Sequence, residues 1–428
     1  NAVMDFRSGR RKGEEGIAVV IDFLLTNARL VLGVGGAALL GIATLVVKRV
    51  SVPVSFIRWL GESSHADFIS LSLTADLCEK SSLDIQPKSD VKPKKLQLCA
   101  LTLQVHFWAF YYTRAQLSPV EVRRVQSLAL DICTEIQGFL HTRHPDMPLG
   151  EMSLGGSLLD DLEVVRADHA CLLVPLQVEA SLWRLIPGEE TLLTHPLHWM
   201  VRRINLEYFP RGRSYWDRFL VGGYLSSEAL VNMLSKTVME TMNWPSISSH
   251  LDCLVRPVLG GPELSLEIRW VSSSHSHVDL LILEEDVVLT GQPQLTTPWV
   301  NAWHLSLYPW ETRRLAQLDE SDSGCRRNVL KTLKAVCKLN PALRPMPSAP
   351  LANLILHLSE RESDWSDGSL EVRFQQCITE LIGYLEQGAL HSYFKPVVNL
   401  LGSLSEDQVD QMGFMLYCAM SEPEILLI

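Results

Sequence analysis

The chain has no surplus of positive charge. Its 38 Lys and Arg against 49 Asp and Glu leave a formal net charge of −11. A net anion is poorly suited to a polyanion partner, which argues against a general nucleic-acid binder. It also has no cysteine framework. Nine cysteines are scattered with no CxxC pair, and the total is odd. That fits reduced thiols in the cytosol rather than disulfides. Cys133, Cys171 and Cys337 lie in apolar surroundings and are expected in the core; Cys418 lies near the C-terminus, where exposure would let it cross-link two copies. No Ser-His-Asp or Cys-His catalytic arrangement can be read from spacing. His275-Ser276-His277 could meet His250 or Cys253, but the spacing is irregular and no metal site is expected. Long uncharged apolar runs are scarce too, and a single one has basic residues at both ends.

That run is Leu30–Val47, eighteen residues between Arg29 and Lys48-Arg49. At about 1.5 Å per residue it reaches about 27 Å, close to a hydrocarbon core of ~30 Å. It ends in basic residues rather than a small-residue cleavage site, so a retained anchor is expected, not a cleaved signal. Four glycines make it only moderately hydrophobic, and Arg7, Arg10, Arg11 and Lys12 precede it. A weak span with basic flanks has the form of a mitochondrial outer-membrane anchor. Basic residues on both sides prevent the positive-inside rule from orienting it. The short N-terminal piece is expected to be the translocated one. Gly33, Ala37 and Gly41 recur every fourth residue, a spacing that lets two membrane helices approach and a homodimer form. The alternative is the ordinary glycine content of membrane helices. The chain opens on Asn1 rather than Met, so an upstream or reassigned start is expected.

Residues 50–95 are rich in Ser, Asp and Lys and end in KPKK, which reads as a solvated linker. Leu96–Tyr112 is a second apolar stretch, interrupted by Gln97, Gln104 and His106. It reads as a helix packed on the domain rather than a second membrane span. A compact α/β pattern follows. Ser118-Pro119 opens a helix whose apolar positions Val122, Val125, Leu128, Ile132, Ile136 and Leu140 keep the helical period. Strands are expected at Ala170–Leu176, Leu264–Val271 and Val278–Leu283. Glu284-Glu285-Asp286 reads as a turn at a strand end. Helices are expected over 311–319, 323–338, 349–361, 368–387 and 405–420. The fold class is thus α/β: a mixed-sheet lobe, then a helical lobe, with a cleft between them.

Gly155-Gly156-Ser157 precedes Leu158–Leu162, and a Gly-Ser turn entering a helix could offer N–H groups and a hydroxyl to a phosphate. A Gly-Ser turn, a spacer, an acidic-x-acidic strand and a third acid on a later strand resemble the nucleotidyltransferase fold. The helical second lobe is similar to its Mab-21-like branch. That resemblance implies three carboxylates holding two Mg²⁺ ions. Here the positions hold His169, Cys171 and Asp279. One carboxylate does not replace three for hard cations, and His and Cys are poor Mg²⁺ ligands. Asp168 would point to the opposite strand face. A transferase fold without transferase chemistry is expected, so no enzyme. An active transferase is the unfavoured alternative.

Further segments narrow the resemblance: NARLVLGVGGAALLGIATLVVKR (27–49), ADH (167–169), EYFPRG (207–212), YWDRFLVGGYLSS (215–227), NWPSI (243–247) and LYCAMSEPEILL (416–427). Together they resemble the mitochondrial dynamics proteins, outer-membrane adaptors of the dynamin-related fission GTPase. The resemblance implies a tail at 1–28 in the intermembrane space, an anchor at 29–49 and a largely disordered linker at 50–98. It then implies a nucleotidyltransferase-like lobe at 99–310 and a helical lobe at 311–428 facing the cytosol. One branch of that family holds ADP in the vestigial pocket. The residues matching those contacts are Ser157, His169, Ser306 and Lys334. Gly155 stands where that branch has a serine, and Tyr308 where it has an arginine. Losing the arginine removes a fixed cation from a diphosphate site, so the branch without nucleotide is favoured and no cofactor is expected. An ADP-responsive sensor is the alternative. For GTPase recruitment the resemblance points to the loop within 202–212, with Arg203, Asn205, Glu207, Tyr208, Phe209, Pro210 and Arg211 as contacts. Pro and Gly mark a surface turn there, and Arg and Tyr are enriched at hot spots.

Overall fold

Alternation of apolar and polar residues builds the first part of the domain, and helical periodicity builds the second. The computed structural model describes residues 103–191, 194–204, 212–258, 264–269, 273–291, 301–322 and 324–428. The chain divides into Asn1–Asp90 and Val91–Ile428, and every described residue belongs to the second unit. The Leu30–Val47 run, the linker and KPKK lie outside the described residues. Among the described residues, no helix is long and apolar enough to cross a membrane.

The second apolar stretch is described from residue 103. It forms helix α1 (103–110), which continues into a π-helical turn at Tyr111–Ala115. Leu103, Phe107, Trp108 and Phe110 are buried. Phe107 meets Phe374 edge-on at 5.7 Å between ring centroids, so this stretch packs against the helical lobe. Helix α2 (Pro119–Arg143) starts where Ser118-Pro119 predicts, although the Ser118 side chain makes no cap bond. Its Ile132, Cys133, Ile136 and Leu140 are buried, against β1 and β2.

The sheet runs β1 (Ser153–Gly155), β2 (His169–Leu176), β9 (Ser273–Glu284), β10 (Val287–Gly291), β11 (Trp303–Leu305), β4 (His198–Arg203), β6 (Tyr224–Leu225) and β5 (Leu220–Val221). β3 (Trp183–Ile186) joins β4, while β7 (Leu254–Pro257) joins β8 (Ser265–Arg269). β9 is the organising strand. It lies parallel to β2 along its full register, and its other edge carries β8 at one end and β10 at the other. The Glu284–Val287 pairing makes Glu285-Asp286 a tight hairpin turn, with Glu285 at φ 48°. Helices α3 (Ser227–Thr241) and α4 (Trp244–His250) intervene before β7. The helical lobe comprises α5 (Tyr308–Asp319), α6 (Cys325–Leu339), α7 (Ser348–Arg361), α8 (Leu370–Gln387) and α9 (Glu406–Ala419). The expected helices all appear, most within two or three residues of the periodicity. The expected strand at Val278–Leu283 is longer, because Ser274, Ser276 and Val278 continue the inward alternation upstream.

Candidate functional site: a cavity between the sheet and helix α6

Strand alternation decides which side chains reach the cavity. On β2, Ala170, Leu172, Val174 and Leu176 are buried in the core. His169, Cys171 and Leu173 therefore face the other way. On β9, Ser276, Val278 and Leu280 are buried, so His277 and Asp279 share the cavity side. Both strands, the 154–162 turn, the start of α5 and part of α6 line a cavity of about 950 Å³. Ser157, His169, Ser306, Tyr308 and Lys334 all line it. Asp168 does not; it pairs with Lys338 at 3.2 Å.

His169, Cys171 and Asp279, the three positions singled out in the sequence, all line this cavity. Cys171 Sγ lies 3.3 Å from Asp279 Oδ2, and His277 Nε2 lies 3.2 Å from the same oxygen. The His169 and His277 rings stack at 4.6 Å. Burial pushes the Asp279 carboxyl up, but His277 and Cys171 outweigh it and hold it below its ordinary range. Burial pushes the Cys171 thiol far up, and the Asp279 charge adds to this. Burial and the neighbouring His277 push His169 below the ordinary histidine range, with Glu163 and Asp168 opposing them.

The polar side of the cavity is already occupied by the protein's own groups. Gly156 turns the chain with φ 75°. The Ser157 hydroxyl donates to Glu163 in a short hydrogen bond. Lys331, Lys334 and Lys338 recur along one face of α6. Lys331 binds Asp161 at 2.9 Å, Lys334 binds the Leu162 carbonyl at 2.5 Å, and Lys338 binds Glu163 at 3.1 Å. Burial lowers the Lys334 pKa, with the Glu163 charge opposing it. Tyr308 opens α5 and donates to Asp160 Oδ2 at 2.8 Å. A Cβ on Gly155 would stand 2.5 Å from Leu173 Cδ1, so a serine there needs Leu173 to move. Spacing alone points neither to Asp160, Glu163, Lys331 or Lys338 nor to the Cys171 and Asp279 partners of His277. The three lysines could have been found from the period of α6; the carboxylates of the irregular 156–164 turn carry no period to find.

Residues 121–311 match the family described as "Mitochondrial dynamics protein MID51-like, C-terminal domain", and residues 325–416 match the "Mab-21 protein HhH/H2TH-like domain". The chain is 44% identical to mitochondrial dynamics protein MID51 of Danio rerio, covering 98% of each. This chain belongs to the mitochondrial dynamics protein family. It is similar also to MID49 of Xenopus laevis, at 39% identity over 100% of this chain and 99% of that one. Identity to MID49 of Homo sapiens is 39%, over 98% and 99%. A role in mitochondrial dynamics follows, on a Mab-21-like, nucleotidyltransferase-like domain.

In this mitochondrial dynamics protein, the expectation for Arg203 needs correction. Its side chain is fully buried rather than displayed at the surface. The guanidinium pairs with Asp217 at 2.6 Å and sits 5.6 Å from the Trp183 ring centroid. It also donates to the carbonyls of Leu182, Ile204 and Gly212. Ile204 and Gly212 flank 205–211, so Arg203 ties together the two ends of that segment. The physical reason is β4 alternation, which turns Val201 and Arg203 inward and Arg202 outward. Asn205, Glu207, Tyr208, Phe209, Pro210 and Arg211 lie outside the described residues. His250, one of the partners considered for a metal, pairs with Glu135 at 3.1 Å.

Proposed function

We propose that this chain is a catalytically inactive adaptor, held in the outer mitochondrial membrane by Leu30–Val47, that recruits the dynamin-related fission GTPase. The large domain faces the cytosol, and many tethered copies raise the local GTPase concentration and favour its assembly. The observation that carries the inactive reading is the single carboxylate, Asp279, among the three converging positions. Two Mg²⁺ ions need more hard oxygen ligands than Asp279 supplies. Recruitment runs through the 205–211 segment, whose roots Arg203 clamps. Support for this comes from the family and from a clamp that consumes a buried arginine at that place.

The test is co-flotation of the GTPase with liposomes carrying the full-length chain. Wild-type protein is expected to bring the GTPase to the membrane, and the double variant Arg211→Glu with Tyr208→Ala to lose it. Undiminished recruitment by that variant would sink the loop assignment, and no recruitment by the parent would sink the adaptor.

The pocket works without nucleotide in this reading. A diphosphate would have to displace Glu163 from Ser157 and Lys338, against nearby Asp160 and Asp161. Tyr308 offers it one hydroxyl in place of a guanidinium.

A further inference from the structure

We propose that Cys171, His277 and Asp279 bind one divalent transition-metal ion of the zinc class on the cavity floor. The three ligand atoms lie within 4.8 Å of one another, and no other such group exists among the described residues. In a tetrahedral zinc site with bonds of about 2.0–2.3 Å, neighbouring donors stand about 3.3–3.7 Å apart. The Cys171–Asp279 and His277–Asp279 separations of 3.3 and 3.2 Å nearly form two such edges already. The third edge, Cys171 to His277, lies within 4.8 Å.

The donors sit on rigid elements. Cys171 and His277 are register partners on the parallel β2–β9 pair, and Asp279 follows His277 by two residues on the same face. Such placement holds a site better than loops do. The donor set selects the metal. Thiolate and imidazole favour Zn²⁺ and Co²⁺, whereas Mg²⁺ requires oxygen ligands in octahedral geometry. Binding deprotonates the Cys171 thiol; the sulfur electron pair goes to the metal and the proton to solvent. A dication also relieves the repulsion between thiolate and Asp279. The fourth position faces the cavity, where water completes the tetrahedron beside His169. An ion here would cross-link the two central strands under the vestigial pocket. This site goes beyond the adaptor reading and does not rest on it.

The test uses full-length protein in detergent, stripped with chelator and titrated with Co²⁺. One equivalent is expected to produce visible d–d bands of a four-coordinate ion and a thiolate-to-cobalt charge-transfer band. Equimolar Zn²⁺ should bleach both, and excess Mg²⁺ should bleach neither. Cys171→Ala is expected to abolish the charge-transfer band, and His277→Ala to weaken Co²⁺ binding at least tenfold. Cys171→His keeps a donor and guards against misfolding: its d–d bands should remain while the charge-transfer band disappears. No bands in the parent, or a charge-transfer band that survives Cys171→Ala, would overturn the proposal. The readout is spectroscopic, so failure here leaves GTPase recruitment untouched, and failed recruitment leaves the metal site untouched.

Discussion

Arg203 shows how one residue type carries two opposite readings. On a turn flanked by aromatic residues an arginine reads as a partner contact; on an inward strand position it is a staple. Removing it leaves Asp217 and the Ile204 and Gly212 carbonyls without their cation. Arg203 is buried but Asp217 keeps a third of its surface, so the cost is mainly that of unpaired hydrogen-bond partners, about 1–3 kcal/mol. Arg203→Ala is therefore expected to lower the urea midpoint clearly, while Arg202→Ala, on the outward face, should leave it nearly unchanged. The pair also has a pH signature. Burial raises the Asp217 carboxyl, but hydrogen bonds from Arg203 and Ser214 outweigh it and hold it below the ordinary range. A depressed folded-state pKa contributes stability that is present above the unfolded value of about 3.9 and lost as pH falls through the folded value. Between about pH 4.5 and 2.5, the parent should lose stability more steeply than Asp217→Asn. Equal slopes would show that the carboxylate is not coupled to Arg203.

Elements differ in how openly their stabilising groups show. Helix α9 announces itself with Ser405 three residues before Gln408. Both arms of that capping box form, with the Ser405 side chain accepting from the Gln408 N–H and Gln408 Oε1 accepting from the Ser405 N–H. Ser405→Ala is expected to cost about 1 kcal/mol, read as a small fall in melting temperature. Helix α1 carries no such signal. Its apolar residues suit a membrane as well as a protein core, and only its neighbours distinguish the two. Phe107 is 1% exposed and meets both Trp108 and Phe374 edge-on. Phe107→Ala should cost about 3–5 kcal/mol, as truncation of a core aromatic does. A loss below 1 kcal/mol would mean that the helix does not stabilise the domain.

At the scale of the whole molecule, the domain keeps the cavity of its fold class and fills its polar walls from within. Loop carboxylates and carbonyls meet the lysines of α6. Saturating ADP is accordingly expected to leave the melting temperature unchanged. A ligand at about 100 times its Kd would stabilise the native state by about 2.7 kcal/mol, so a flat response excludes appreciable binding. A clear rise would make the pocket a nucleotide sensor and refute the nucleotide-free reading.

Periodicity and residue chemistry in the sequence alone determined the order of elements. The 3.6-residue repeat of α2 and of the helical lobe, and the alternation of β2 and β9, are local properties that survive without neighbours. The same holds for His169 and Cys171 in place of carboxylates, because residue identity is enough to remove hard metal ligands. The tertiary structure decided what no local pattern encodes. It set the parallel register that places His277 beside Cys171, 106 positions apart in the chain. It turned Arg203 inward, and it joined the irregular 156–164 turn to the lysines of α6. The physical reason is that register and side-chain pairing across long loops depend on packing of both partners at once, and a linear sequence records each partner separately.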